Sequence, residues 1–100
     1  MDGLEAVKKA HELKPDIILL DIGLPNLQGL DAAHRIAQST PNTKIVFLTA
    51  QNDLDFVKQA LVNGASGYVL KVDAKTELLA AIGAVIQGRR FVSRRLAMKS

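Results

Sequence analysis

Pro15-Asp16-Ile17-Ile18-Leu19-Leu20-Asp21-Ile22-Gly23-Leu24-Pro25 is the stretch on which the fold turns. Residues 17–20 form an unbroken apolar run closed by Asp21, the pattern of a central strand covered on both faces. Gly23, Pro25, Asn26 and Gly29 then mark a loop. Two similar runs follow, residues 44–48 ending at Thr49 and residues 67–70 ending at Lys71.

Helical periodicity fills the gaps. Leu4, Val7, Ala10 and His11 form a stripe that must end near Pro15, because proline disfavours helical geometry at Lys14. Leu30, Ala33 and Ala37 form a second stripe that stops before Pro41-Asn42. Phe56, Val57, Ala60 and Leu61 mark a helix over residues 53–62, closed by Asn63-Gly64. Asp73 is placed to cap a last helix whose wide apolar face carries Leu78, Leu79, Ile82, Val85 and Ile86, with Gly88 as the stop. The order is α-β-α-β-α-β-α, an α/β chain with three parallel strands.

Composition sets the bounds. One hundred residues make one small domain, and 48% hydrophobic with only 4% aromatic residues requires a core of Leu, Ile, Val and Ala. The absence of cysteine removes disulfide and thiol chemistry and fits a cytoplasmic location. No run of residues has the unbroken apolar character of a membrane span, so no membrane partner is expected. The net charge of +3 arises from Arg89, Arg90, Arg94, Arg95 and Lys99, since residues 1–88 carry 8 basic and 10 acidic groups. A basic end of this kind reads as a solvated helix end running into a linker more readily than as a nucleic-acid surface.

In open parallel sheets, ligands bind outside the carboxyl ends of the strands, and here these ends carry Asp21, Thr49 and Lys71. Right-handed crossovers keep successive strands adjacent, so a carboxylate, a hydroxyl and an ammonium separated by 28 and then 22 residues converge. That set suits phosphoryl transfer: Asp21 as nucleophile, Lys71 as a point charge for a phosphoryl oxygen, Thr49 as a hydrogen-bond donor. Taken singly, Asp21 is equally a turn former, Thr49 a strand-end hydroxyl and Lys71 a solvated lysine. Their shared position at successive strand ends is the functional signal. Tyr68 reads equally as a half-buried strand aromatic or a moving reporter. His11 and His34 have no partner at metal-ligand spacing, and the glycines form no nucleotide-binding loop.

The segment 15–25 followed by Gly29 resembles the phosphoacceptor segment of bacterial response-regulator receiver domains. Leu48-Thr49-Ala50 resembles the family's switch hydroxyl segment, and residues 64–71 resemble its final strand with aromatic and lysine. Residues 77–82, followed by Gly88-Arg89-Arg90-Phe91-Val92-Ser93, are similar to the closing helix and exit of the NarL/FixJ (LuxR-type) branch. The resemblance implies a flavodoxin-like (CheY-like) doubly wound sheet, with a receiver domain over 1–93 and a basic tail or start of a linker over 94–100. It implies Asp21 as phosphoacceptor, Thr49 as phosphoryl-sensing hydroxyl, Lys71 as phosphoryl partner and Tyr68 as reporter. A sensor histidine kinase is the implied donor, and DNA is implied only through a helix-turn-helix domain for which residues 94–100 are too few.

The family pattern also has a strand, a helix and a second strand ahead of the helix that opens this chain, roughly fifty residues. The expectation is therefore a receiver truncated at its N-terminal side. In the family an acidic pair at the end of that first strand holds Mg²⁺ together with groups matching Asp21 and the Gly23 backbone carbonyl; without the pair, Mg²⁺ should be weak or absent and phosphorylation impaired. An unpaired sheet edge beside apolar side chains should favour a homodimer or swapped oligomer. Val72 stands where many relatives have proline, and Leu24 where many have methionine. The readings are thus a signalling switch rather than a turnover enzyme, a self-associating structural module with Asp21 silent, and, least supported for want of a cysteine nucleophile or phosphate loop, a flavodoxin-like phosphatase or phosphotransferase fragment.

Overall fold

The computed structural model describes residues 3–22, 27–50 and 54–97. The elements are α1 (Gly3–Leu13), β1 (Ile17–Ile22), α2 (Leu27–Ser39), β2 (Lys44–Thr49), α3 (Leu54–Val62), β3 (Gly67–Leu70), a 3₁₀ turn (Lys71–Asp73), α4 (Ala74–Ile86), β4 (Phe91–Val92) and α5 (Arg94–Ala97). Each strand pairs in parallel with the next, in the order β1-β2-β3-β4. No described helix is long and apolar enough to cross a membrane.

The helix ends follow local chemistry. Lys14 leaves α1 in the left-handed region, φ 47°, while its N–H still donates to the Ala10 carbonyl, and Pro15 then prevents the helix from resuming. Gly64 ends α3 at φ 108°, with the Ala65 N–H donating to the Ala60 carbonyl and the Gly64 N–H to the Leu61 carbonyl. This paired closure needs a residue that tolerates positive φ.

Helices cover both faces of the sheet, as expected. Ile18, Leu20, Ile45, Phe47, Tyr68 and Leu70 face the larger core with Ala10, Ile36, Val57 and Ala60 from the first three helices. Val46 and Val69 face the smaller core with Ala81 and Val85 of α4. Phe47, Phe56 and Tyr68 form a triangle with ring centroids 5.9 to 6.1 Å apart, each pair in a tilted or edge-on arrangement that the ring quadrupoles favour.

Four expectations change. The sheet has a fourth strand, β4, whose two residues are too few to produce a period-two signal in the sequence. β1, central by its apolar run alone, is an edge strand among the described residues, the unpaired edge that the resemblance implied, and its burial alternates, with Leu19 39% exposed because α4 packs over β2 and β3 instead. The apolar face expected on α4 is split: Val85 is buried with Ala81, whereas Leu79 and Ile86 lie exposed on the outer side. Packing continues beyond residue 93, since Leu96 of α5 is fully buried in the larger core.

Candidate functional site

The sheet register builds the site. Ile22 is in register with Thr49 and Thr49 with Leu70, so Asp21 lies one residue before that row and Lys71 one residue beyond it. Side chains of a strand alternate between faces, which sets Asp21 and Lys71 on the side opposite Ile22 and Leu70. There the Lys71 Nζ lies 2.6 Å from the Asp21 Oδ1. Both side chains remain open to solvent, Asp21 at 58% and Lys71 at 40%. An ion pair this exposed contributes little to stability, which leaves the carboxylate available for chemistry.

Thr49 is fully buried at the end of the intervening strand. Tyr68 is also fully buried, within the ring triangle, so of its two sequence readings the half-buried one gives way to a deeper position. The structure therefore joins Asp21 to Lys71 directly and places Thr49 and Tyr68 inside the adjoining core. The expected Gly23 carbonyl ligand lies outside the described residues. Among the described residues no group of three His, Cys, Asp or Glu side chains can hold a metal ion, and His11 and His34 are both exposed. Among the described residues this leaves the Asp21 carboxylate paired with an ammonium, which alone falls short of the near-octahedral oxygen cage that Mg²⁺ requires.

Lys71 opens a single 3₁₀ turn whose last residue is Asp73. Its expected role as a side-chain cap of α4 is not observed; its carboxylate instead accepts two hydrogen bonds of 3.1 Å, from Nε and a terminal nitrogen of Arg95. The Asp73 carboxyl is held below its ordinary value of 3.8, first by the Arg95 hydrogen bonds, with burial opposing and the Arg95 charge adding. Ser93 is fully buried, its Oγ accepting from the Leu70 N–H at 2.9 Å and its own N–H donating to the Tyr68 carbonyl at 2.9 Å. Sequence reasoning missed these contacts. Residues 70 and 93 or 73 and 95 are too far apart for any local pattern to pair them, and only the run Phe91-Val92-Ser93 hinted at a structured exit.

Residues 1–83 match the family described as response regulator receiver domain. The chain is 43% identical over 96 residues to oxygen regulatory protein NreC of Staphylococcus aureus, covering 95% of this chain and 44% of that protein. It is 37% identical over 97 residues to response regulator GacA of Pseudomonas viridiflava, covering 97% of this chain and 45% of that protein. It thus spans less than half the length of these curated relatives. Among solved structures, a two-component response regulator of the LuxR family from Aurantimonas sp. SI85-9A1 superposes with a TM-score of 0.88 at 36% identity, covering 98% of this chain and 70% of that one. The family match over most of the chain and the close superposition on a LuxR-family structure agree with the parallel sheet clad by helices on both faces, and the chain belongs to the response regulator receiver domains, in their LuxR-type branch.

Proposed function

We propose that Asp21 is the phosphoryl acceptor of this receiver, supplied by the phosphohistidine of a sensor histidine kinase in the cytoplasm. The supporting observation is the 2.6 Å contact between Asp21 and Lys71 at the carboxyl edge of the sheet. A carboxylate oxygen of Asp21 attacks phosphorus, the phosphorus–nitrogen bond of the donor breaks, and the departing imidazole nitrogen takes up a proton. Lys71 exchanges its carboxylate partner for a phosphoryl oxygen, which keeps an ammonium against the new charge. Thr49 then turns its hydroxyl toward a second oxygen and Tyr68 reports the change from within the ring triangle. The product is an acyl phosphate held as a signal, so the chain is a switch and not a turnover enzyme; a DNA-binding output would belong to another domain. Mg²⁺ is bound weakly or not at all by this chain.

Incubation with a small phosphodonor followed by intact-mass measurement tests this. One phosphoryl adduct on the wild-type chain and none on Asp21→Asn is the expected result; adducts on both, or on neither, would remove Asp21 from the role.

A second reading rests on β1. Its outer edge is unpaired among the described residues and Leu19 is exposed beside it, which is the arrangement that invites another strand. Two copies pairing through this edge would form a homodimer or exchange elements. Light scattering across a concentration series is the check, and a monomer at every concentration would dismiss it.

A further inference from the structure

We infer that Asp73 and Arg95 form a clasp that positions Lys71, coupling the Asp21 pocket to the segment that follows β4 over residues 93–97. The inference rests on the reading of Asp21 as phosphoacceptor and extends it to a route out of the site.

Lys71 is bracketed by the exit segment on both sides. Immediately before it, the Leu70 N–H is held by the Ser93 Oγ; two residues after it, Asp73 is held by the Arg95 fork. Lys71 itself is tied to the following helix through its carbonyl, which accepts from the Ala74 N–H. Between the two brackets lie only Lys71 and Val72, and Val72 is 74% exposed, so it packs against little that would fix the turn. The position of the ammonium that meets Asp21 thus depends on where residues 93–95 sit as well as on the β3 ladder and the start of α4.

The exit segment is anchored in its turn. Ser93 and Leu96 are both fully buried, and the Arg94 N–H donates to the Glu77 Oε2 at 3.1 Å. The Glu77 charge adds to that of Asp73 in favouring the charged Arg95. A lone exposed ion pair would be a decoration of the surface. This one is bidentate, its Asp73 side chain is only 17% exposed, and it sits between two buried anchors. Paired hydrogen bonds from a planar guanidinium fix direction as well as distance, which is what positioning requires.

Coupling of this kind is reciprocal. A phosphoryl group that draws Lys71 toward it displaces the turn and loads the clasp; a pull on residues 93–97 moves Lys71 relative to Asp21. Asp73 and Arg95 are positioning residues, acting on the reacting group only through Lys71.

The test is titration of the full chain with beryllofluoride in Mg²⁺ buffer, followed by the Lys71 and Leu96 amides, for wild type, Arg95→Gln, Asp73→Asn and Arg94→Gln. Arg94→Gln removes the same charge from a neighbouring side chain and serves as the comparator. Expected are joint movement of both amides in wild type, affinity weakened about fivefold in Arg95→Gln and Asp73→Asn, wild-type affinity in Arg94→Gln, and recovery when Asp73→Arg is combined with Arg95→Asp. Unchanged or tighter binding in Arg95→Gln, with wild type responding, overturns the clasp alone. If wild type does not respond, the mimic has no site in this chain, the phosphoacceptor reading is decided by the phosphodonor mass measurement, and the clasp is judged on the unliganded spectra: a Lys71 amide displaced in Arg95→Gln but not in Arg94→Gln supports it, and an undisplaced one overturns it.

Discussion

Ser93→Ala should destabilise this small chain far more than its size suggests. The hydroxyl oxygen accepts from the Leu70 N–H at 2.9 Å, with Ser93 fully buried and Leu70 only 2% exposed. Its removal leaves a backbone N–H without a partner at the end of β3, in a place water does not reach, which costs about 1–3 kcal/mol. Against a total stability of roughly 5–15 kcal/mol for a chain of this length, that is a large share. With a urea dependence of about 1–3 kcal/mol per molar, the unfolding midpoint should fall by about 1 M. Ser39→Ala is the internal control, because the Ser39 Oγ also makes a 2.9 Å bond, to the Arg35 carbonyl, but in full view of solvent. It should stay within about 0.5 kcal/mol of wild type. Equilibrium urea unfolding followed by far-ultraviolet circular dichroism measures both. If Ser93→Ala and Ser39→Ala lose equal stability, the buried bond has no special weight and the argument that Ser93 anchors the exit fails.

Gly64→Ala and Gly83→Ala should move stability in opposite directions. A Cβ at Gly64 would come within 2.6 Å of the Ala37 Cβ at φ 108°, so a loss of about 2–4 kcal/mol in thermal or urea unfolding is expected, whereas Gly83 has open space within its helix and alanine there should gain about 0.5–1 kcal/mol. Asp21→Asn should change unfolding free energy by less than about 1 kcal/mol, given the exposure of its pair with Lys71, while abolishing the phosphoryl adduct; a large stability loss would mean that Asp21 is structural. The Asp73–Arg95 clasp should weaken on acidification, because a carboxyl depressed below 3.8 in the fold contributes stability above that value and loses it as pH falls through the folded one. The Asp73 carboxyl resonance should therefore titrate at lower pH in wild type than in Arg95→Gln, and coincident midpoints would refute the bond's effect.

Much of the arrangement was legible because it is written in contiguous runs. Residues 17–20, 44–48 and 67–70 announce strands by apolar character alone, and Asn63-Gly64 announces a helix end because so few residues accept positive φ. Asp21, Thr49 and Lys71 could be placed together since each closes such a run, and parallel pairing without gaps does the rest. Illegible were features that depend on what lies across the fold. The run Ile17-Ile18-Leu19-Leu20 looks equally apolar for a central strand and for an edge, so the edge could be expected only from the family resemblance, and the position of α4 decides that Leu19 is exposed. Leu79 and Ile86 read as core by their periodicity, although the helix turns Ala81 and Val85 inward. The Asp73–Arg95 and Ser93–Leu70 contacts span 22 and 23 residues between polar groups of ordinary type, with no periodicity to reveal them.

The order of strands across the sheet is the order in which they are made: β1, β2, β3, then β4. Among the described residues no strand has to wait for a distant partner, so each crossover closes a loop of modest length and the entropy of closure is met in small instalments. Each described strand from β2 onward is made after the neighbour with which it pairs. The sheet can grow from one side in single file, and the last strand to arrive, β4, brings Ser93 to the Leu70 N–H only after the Asp21 and Lys71 strands are assembled. The β4 contacts are therefore expected to form after the β1–β2 ladder, and the Leu70 amide is expected to gain protection from exchange later than the amides of that ladder.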